Sequence, residues 1–315
     1  MPISSLSMEI WCVTAFFAPF ESELRYRNFE IFARGILKSG VRLLTIELLY
    51  PWTTRRLPKL GHIATLESKD VLWHKEAMLN YGFSLLPISC DVAICMDCDL
   101  LFEETDWLSR LTALIKKNDI IQCFQTCHRL PQGSPFQKEY AEQSTQSVMH
   151  SYFIDPDSFH SRTPRAPSAP GGGWAFAKPY FYGNPLYERG PVGSGDHIFA
   201  YAVIGELKNS PFLDWYSPLQ QKDALQWATR IPKGLPTSFL PVDVFHLWHG
   251  SMRSRLSKER GVPLKNHAFD PQKDLKKEKG LYQWCSPKKA LHQSVYTYFF
   301  QRASEESRSL MPYLR

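Results

Sequence analysis

Long apolar runs and a regular cysteine pattern are both missing from this sequence of 315 residues. No apolar stretch approaches the roughly 18 residues that a transmembrane helix requires, so we predict no membrane span. The apolar start from Ile10 to Phe20 follows Glu9 instead of a cationic region and lacks a small-residue cleavage site, which argues against a signal peptide. Seven cysteines without a disulfide rhythm are typical of a reducing compartment. We therefore predict a cytoplasmic protein.

Three common enzyme signatures are also absent. The chain has no Walker A loop, no Gly-x-Gly-x-x-Gly after a predicted strand and no Gly-x-Ser-x-Gly. Their absence argues against a P-loop kinase, a dinucleotide-dependent dehydrogenase and an α/β-hydrolase. The net charge of +6 is mostly local, because residues 251–280 hold nine Lys and Arg against four Asp and Glu. The basic character therefore belongs to one segment of the chain.

The most informative stretch runs from Asp91 to Phe102, where an apolar run ends in two carboxylates, Asp97 and Asp99. Residues i and i+2 of a strand point the same way, and open α/β sheets bind ligands at the carboxyl ends of their strands. Two carboxylates this close repel each other unless a positive group lies beside them. Mg²⁺ or Mn²⁺ bound to a nucleotide diphosphate would supply that charge, because both metals favour carboxylate and phosphate oxygens. The alternative is a strand-end turn with two solvated acids.

The order of elements predicts an α/β fold with a mixed, mostly parallel sheet flanked by helices. Predicted strands cover 9–19, 41–49, 120–127 and 242–250 besides the two-aspartate strand, and predicted helices cover 21–38, 70–83, 103–117 and 289–303. Residues 51–69 read as irregular. This order divides the chain into a first half at 1–130, a flexible loop or lid at 131–170, a second half at 171–250, and a basic segment with a C-terminal helical extension at 251–315.

Four blocks of the sequence are informative together: Leu72-Trp-His-Lys-Glu-Ala-Met-Leu-Asn-Tyr-Gly-Phe, Met96-Asp-Cys-Asp-Leu-Leu, Gly171-Gly-Gly-Trp-Ala-Phe and Gly193-Ser-Gly-Asp-His-Ile-Phe. They resemble the GT-A (Rossmann-like) class of nucleotide-sugar glycosyltransferases, above all galactosyltransferase-like proteins and glycosyltransferase-like proteins of bacteria and phages. The resemblance implies a nucleotide-sugar-binding half at 1–130 and an acceptor and catalytic half at 171–250. The second block resembles the Asp-x-Asp motif, and the last resembles a block whose Glu-Asp pair includes the acid that deprotonates the acceptor. Here that pair is Gly195-Asp196, and Ser194 replaces a tryptophan. The resemblance spans about residues 9–250 and implies a metal-dependent transferase.

The resemblance gives the two aspartates a role at a metal. Asp99 would bind Mn²⁺ or Mg²⁺ directly, and Asp97 would contact the metal site or the ribose. His246 or His249 would add an imidazole ligand, which favours Mn²⁺. Their spacing places the two imidazoles on opposite faces of a strand, so we expect one ligand and prefer His249 beside Gly250. The alternative is a structural histidine at a strand end.

Asp196 is the predicted catalytic base, and a single carboxylate opposite the leaving group implies inversion at the anomeric carbon. Its alternative role is the N-cap of the helix that follows. The residues that we expect to contact the nucleotide or diphosphate are Lys75, Asn80, Arg253 and Arg255, with Arg260 as a further clamp. The residues that we expect to contact the acceptor or sugar are Gly172, Gly173, Trp174 and Trp248. Solvated faces, a solvated basic loop and core tryptophans are the alternatives for these residues.

The predicted reaction moves a sugar from a nucleotide donor, UDP by default, to a hydroxyl acceptor. One alternative acceptor is a hydroxylated base in DNA, because the basic segment and the 14% aromatic content suit nucleic acid. A nucleotidyltransferase and a non-catalytic nucleotide- or sugar-binding relative are further alternatives. A structural zinc site formed by Cys95-Met-Asp-Cys98 with Cys123 and Cys127-His128 is the competing metal hypothesis.

Overall fold

The computed structural model describes residues 8–161, 168–183, 186–250 and 259–310. Its strands are β1 (Ile10–Phe17), β2 (Arg42–Leu49), β3 (His62–Glu67), β4 (Val92–Met96), β5 (Leu100–Phe102), β6 (Ile120–Gln122), β7 (Thr126–Arg129), β8 (Gln143–Gln146), β9 (Gly173–Ala177), β10 (Thr237–Phe239), β11 (Asp243–His246), β12 (Leu275–Glu278) and β13 (Leu281–Trp284). Its helices are α1 (Glu23–Lys38), α2 (Lys75–Ser84), α3 (Trp107–Ile115), α4 (Val148–Ile154), α5 (Lys178–Gly183), α6 (Gly195–Val203), α7 (Pro218–Ala228), α8 (Val262–Asn266), α9 (Pro271–Asp274) and α10 (Lys289–Leu310). Within these ranges no helix is long and apolar enough to cross a membrane.

The main sheet has seven strands in the described chain, in the order β10-β6-β9-β4-β1-β2-β3. Neighbours β1 and β2, β2 and β3, β1 and β4, and β6 and β10 pair in parallel. Strand β9 runs antiparallel to both β4 and β6. The predicted α/β class with a mixed, mostly parallel sheet is therefore confirmed.

Helices cover both faces of this sheet, which is why its strands read as apolar runs without polar alternation. On β1, Ile10 and Cys12 face the cluster that holds α1 and α3, whereas Trp11 and Val13 face the cluster that holds α2, α6 and α10. Complete burial of a large apolar side chain such as Phe29 contributes about 1.5–3 kcal/mol. Two packed faces fix the sheet and hence the carboxyl ends of β1 and β4.

A smaller sheet of four strands, in the order β5-β11-β7-β8, lies beside the carboxyl end of β4 in the described structure. Strand β5 begins one residue after Asp99 and pairs antiparallel with β11, so that Leu100 is opposite His246. Strand β7 pairs in parallel with β11, so that Arg129 is also opposite His246. This sheet therefore brings two distant parts of the chain against the two-aspartate turn.

Two segments predicted to lack regular structure contain it. Residues 51–69 include β3, and the described part of 131–170 includes β8 and α4, so the loop prediction is wrong there. Both strands lie at sheet edges and are largely polar or half-exposed, so they lack the apolar alternation on which the prediction depended. The predicted strand at 120–127 is divided into β6 and β7, which belong to different sheets.

Candidate metal and substrate site

A cavity of about 420 Å³ opens at the carboxyl ends of β1 and β4 and extends to the smaller sheet. Among its lining residues are most of the predicted site residues: Lys75, Asp97, Asp99, Gly172, Asp196, His246 and His249. Its size is within the range of small-molecule sites in proteins. The position agrees with the general rule for ligand sites in open α/β sheets.

The candidate metal centre is a cluster of Asp99, His246 and His249, whose ligand atoms all lie within 4.8 Å of one another. Asp99 Oδ2 is 3.1 Å from His249 Nε2 and 3.8 Å from His246 Nε2. A carboxylate with two imidazoles is a donor set that suits Mn²⁺ and other first-row divalent metals. The prediction that only one of the two histidines faces the site is wrong, because β11 ends at His246 and the strand alternation does not extend to His249.

Asp97 is held by a different partner. Lys75 Nζ donates to Asp97 Oδ1 over 2.8 Å, and the backbone N–H of Asp97 donates to the carbonyl of Gly172. Burial raises the pKa of Asp97, Lys75 lowers it and Asp99 raises it again, with a net increase. Asp97 is not a member of the metal cluster among the described residues. Its expected contact with the ribose or with a metal-bound water stays a prediction.

Lys75 supplies the positive charge at the centre of the site, with its side chain only 15% exposed. Burial lowers its pKa, but the carboxylates of Asp97, Asp196 and Glu76 outweigh that effect and raise the pKa overall. The ammonium group therefore remains charged at neutral pH. It balances acids that arrive from the β4 turn and from α6.

Asp196 lies at the second position of α6, and the N-cap of that helix is Ser194 in a left-handed conformation with φ 76°. The alternative N-cap role for Asp196 is therefore wrong. Its Oδ1 accepts from the backbone N–H of His197 at 2.9 Å and lies 3.1 Å from the ring Nδ1 of that residue. Burial raises the pKa of Asp196, but His197, Lys75 and Arg260 lower it well below its ordinary value. These neighbouring charges favour the ionised form of the Asp196 carboxyl group.

The glycine block Gly171–Gly173 leaves room for the side chain of Asp196. A Cβ at Gly171 would lie 2.6 Å from Asp196 Oδ2, and Gly172 has a φ of 94° that favours glycine. Gly173 pairs with Met96 across the sheet. The predicted positions of Gly172 and Gly173 at the site thus agree with the geometry, since both residues line cavities there.

Both predicted sugar-binding tryptophans lie away from the main cavity. Trp174 is 4% exposed, donates its indole N–H to Pro170 O at 3.0 Å and packs its ring edge-on against Phe199. Its alternative role as a core tryptophan is the correct one. Trp248 is half-buried and does not line the cavity, and its carbonyl accepts from Asn28 Nδ2. Neither indole is a platform for a sugar in this structure.

Asn80 also differs from its prediction. Its amide donates to Leu186 O at 2.9 Å and to Glu188 Oε2 at 2.8 Å, so it fixes the chain that leads to α6 and does not line the cavity. Arg253 and Arg255 lie outside the described residues. The third predicted clamp, Arg260, does line the cavity and donates to Ser194 Oγ at 2.6 Å.

Several cavity residues were not predicted from the sequence. The cations among them are Arg25, Arg129 and Arg302. Arg129 lies directly beside His246 on the neighbouring strand and donates to Thr145 Oγ1 at 3.2 Å. It had no clear sequence signal, because β7 is short and its sequence, Thr-Cys-His-Arg, is not an apolar run. Glu76, which is buried beneath Asp196, had no sequence signal beyond its place next to Lys75.

The competing zinc hypothesis is wrong within the described chain, where the cysteines join no metal-like cluster. Cys95, Cys123 and Cys127 are buried, and burial raises the pKa of the Cys95 thiol to about 12. A buried thiol that stays protonated is a poor metal ligand, because zinc binds the thiolate.

No family model matches the chain, and no curated protein matches it either. Among solved structures, the catalytic domain of Drosophila beta1,4-galactosyltransferase 7 with xylobiose is 14% identical over 74% of this chain and 65% of that chain, with a TM-score of 0.32. The Mycobacterium tuberculosis protein Rv0371c is 11% identical over 75% and 89% of the chains, with a TM-score of 0.37. A 4-diphosphocytidyl-2C-methyl-D-erythritol synthase from Anaerococcus prevotii is 8% identical over 75% and 89%, with a TM-score of 0.33. This chain thus spans less than two thirds of the galactosyltransferase domain, and its function rests on the geometry of the site.

Proposed function

We propose that this protein is a metal-dependent, inverting glycosyltransferase that moves a sugar from a nucleotide donor, with UDP as its nucleotide, to a hydroxyl acceptor. The observation that supports it most is the shared cavity of the metal cluster and Asp196. Asp99, His246 and His249 offer ligands for a cation on a diphosphate, and Asp196 in the same cavity offers a carboxylate as the base. Sugar transfer requires both.

In this account Asp99, His246 and His249 would hold the divalent cation, which would supply positive charge beside the leaving diphosphate. Lys75 orients Asp97 and lies near Asp196, and Arg129 adds a guanidinium beside His246. Guanidinium groups bind phosphate oxygens through paired N–H donors. The donor diphosphate is therefore assigned to the end of the cavity where β5, β7 and β11 meet.

The transfer step uses Asp196. The acceptor hydroxyl donates to Asp196, its oxygen forms a bond to the anomeric carbon, and its proton passes to the carboxylate. The bond between the anomeric carbon and the phosphate oxygen breaks, and its electron pair leaves with the diphosphate. Because acceptor and leaving group are on opposite sides of the sugar, the product has the inverted configuration. Proton removal by such a base is worth about 10² to 10⁴ in rate.

The proposal specifies the acceptor only as a hydroxyl group. A nucleic-acid acceptor remains a prediction from residues 251–280, of which 251–258 lie outside the described residues. A nucleotidyltransferase would also need a metal and would release pyrophosphate. The product of the reaction therefore separates the two enzyme classes.

The test is a product analysis with Mn²⁺ and a panel of UDP-, GDP- and dTDP-sugars, with water and simple methyl glycosides as acceptors. We expect release of one nucleoside diphosphate, and a loss of about 10² to 10⁴ in rate for Asp196→Asn with the nucleotide still bound. The control is Asp157→Asn, whose side chain is 89% exposed and lies outside the cavity. Full activity of Asp196→Asn would contradict the proposal. So would a protein that leaves the nucleotide sugars intact but releases pyrophosphate from UTP and a sugar 1-phosphate.

A further inference from the structure

Arg260 is a half-buried cation in the cavity wall, and it forms no ion pair with the described residues. Its Nη2 donates to Ser194 Oγ at 2.6 Å. Its Nη1 makes no hydrogen bond within the described ranges and retains accessible surface. A guanidinium group presents its N–H donors in a planar fork that fits the oxygen atoms of a carboxylate or a phosphate. Arg260 therefore has donors available for an anionic ligand.

The charge of the whole cavity is also positive. Its described lining contains five Lys and Arg side chains against three acids, Asp97, Asp99 and Asp196. A divalent cation at the metal cluster would offset the negative charge of a donor diphosphate, so an excess of positive charge would remain after the donor has bound. A cleft lined by an excess of one charge attracts ligands of the opposite charge. The excess thus predicts that a second substrate is anionic.

Arg260 enters the cavity beside the proposed base. Its partner Ser194 is the N-cap of α6, two residues before Asp196. Arg260 is one of the positive charges that lower the pKa of Asp196. A Cβ at Gly261 would overlap the carbonyl oxygen of Trp215, so the chain at this point lies directly against the backbone of Trp215. Arg260 therefore belongs to the part of the cavity where the acceptor would meet Asp196.

Two half-buried aromatic side chains, Phe212 and Trp215, line the same part of the cavity. Their ring centroids are 4.8 Å apart at an interplanar angle of 73°, and the ring of His197 packs against Phe212 at 4.2 Å. The hydroxyl of Tyr216 donates to the carbonyl of the α6 N-cap at 3.1 Å, which fixes this turn to the helix of the base. Aromatic rings offer a large rigid apolar surface, and one face of a pyranose ring is apolar. These two rings can therefore support a sugar.

We propose that the acceptor is an anionic sugar. Its carboxylate or phosphate group binds Arg260, its ring packs against Phe212 and Trp215, and its attacking hydroxyl donates to Asp196. The inference rests on the proposed glycosyl transfer and adds the chemical class of the acceptor. A carboxylate and a phosphate both present paired oxygen atoms to a guanidinium group, and the test distinguishes these two sources of charge.

The test measures the binding of matched methyl glycosides to the protein saturated with UDP and Mg²⁺, by ligand-observed NMR. Two sets, one based on glucose and one on galactose, each contain the neutral glycoside, the corresponding uronic acid and the corresponding 6-phosphate. We expect an anionic member to bind at least about tenfold more tightly than its neutral counterpart, a difference typical of a hydrogen bond to a charged group. Preference for the uronic acid identifies a carboxylate, and preference for the 6-phosphate identifies a phosphate.

Arg260→Gln should reduce this preference to within about twofold, because the variant lacks the charged donors. Arg260→Lys keeps the charge and should retain part of the preference. Trp215→Ala should weaken the binding of neutral and anionic members by the same factor, because it removes apolar contact and no charge. The control is Arg34→Gln, whose wild-type side chain is 65% exposed and lies outside the cavity. Binding of UDP with Mg²⁺ should be unchanged in all four variants, which also shows that they are folded.

Equal affinities of neutral and anionic members in both sets, or a preference that persists in Arg260→Gln, would overturn the inference while the proposed function stands. Loss of UDP binding in Arg260→Gln at an unchanged melting temperature would also overturn it, because Arg260 would then serve the donor diphosphate. Tighter binding of a DNA oligonucleotide than of every glycoside would overturn it in favour of a nucleic-acid acceptor. A wild-type protein that binds no UDP with Mg²⁺ or Mn²⁺ would instead overturn the proposed function.

Discussion

At the scale of single residues, the site depends on a few buried charges that stabilise one another. Lys75 is the cation among three acids, and Asp99 is the acid between two imidazoles. Removing one member of a buried pair leaves the other uncompensated, which costs more than the pair itself contributes. Changes at these residues should therefore affect stability as well as activity.

Lys75→Met should destabilise the fold by about 3–5 kcal/mol, the usual cost of breaking a buried ion pair. Lys138→Met is a matched control, because Lys138 Nζ is also 2.8 Å from a carboxylate but its side chain is 43% exposed. An exposed pair contributes at most about 1 kcal/mol. Urea unfolding of both variants measures the difference. Equal losses of unfolding free energy in the two variants would show that the Lys75–Asp97 pair contributes no more than the exposed Lys138 pair.

His74 predicts a pH effect on stability. It is 1% exposed, its Nε2 lies 3.2 Å from Asp70 O, and burial lowers its pKa to about 4. The folded protein thus binds a proton at His74 less readily than the unfolded chain, whose histidine has a pKa near 6.5. Stability should fall as pH drops from about 6.5 to 4, by about 3 kcal/mol at most.

Urea unfolding between pH 7 and 4 measures this contribution, with His74→Gln for comparison. The variant should lose less stability over that interval than the wild-type protein. The same pH dependence in both would show that His74 is not the group that titrates.

At the scale of elements, the β4 turn, the glycine block and the start of α6 act together. Gly171 lets the backbone approach Asp196, and Gly172 accepts from the N–H of Asp97. These contacts join three segments that are far apart in sequence. A small backbone shift in one of these segments should therefore move Asp97 or Asp196 on another.

Gly171→Ala should lower the rate of UDP release by about 10²-fold, because its Cβ would meet Asp196 Oδ2 at 2.6 Å and a shift of about 1 Å can have that effect. Gly35→Ala in α1 is the control, since its Cβ would meet only the side chain of Leu101 at 3.3 Å. The kcat and melting temperature of both variants test this. Equal kcat values in Gly171→Ala and the wild-type protein would contradict the assigned position of Asp196.

Sequence patterns predicted the elements that are apolar and locally encoded, such as β1, α1, β2 and β4. They missed the polar edge strands β3 and β8. Asp99 and Asp196 could be predicted as site residues, because each lies within a sequence block that resembles a known motif. The place of Arg129 in the cavity could not be predicted, because the pairing of β7 with β11 creates it. The expectation that His246 and His249 lie on opposite faces of one strand is wrong, because the strand ends at His246.

At the scale of the whole molecule, two sheets meet around one cavity. Asp97 follows β4 of the main sheet and Asp196 lies on α6, whereas the smaller sheet supplies His246 and Arg129. The metal cluster requires both, because Asp99 belongs to the turn between β4 and β5. The central claim is therefore that a nucleotide and a divalent metal bind together at this junction.

The most direct test is thermal stability against a panel of nucleoside diphosphates, with and without Mn²⁺, for wild type, Asp99→Ala and the control Asp157→Ala. A ligand at 100 times its Kd should stabilise the protein by about 2.7 kcal/mol, which a melting curve detects. We predict a Mn²⁺-dependent increase with one diphosphate in the wild-type and control proteins and none in Asp99→Ala. No increase with any diphosphate, or an increase that persists in Asp99→Ala, would contradict the account.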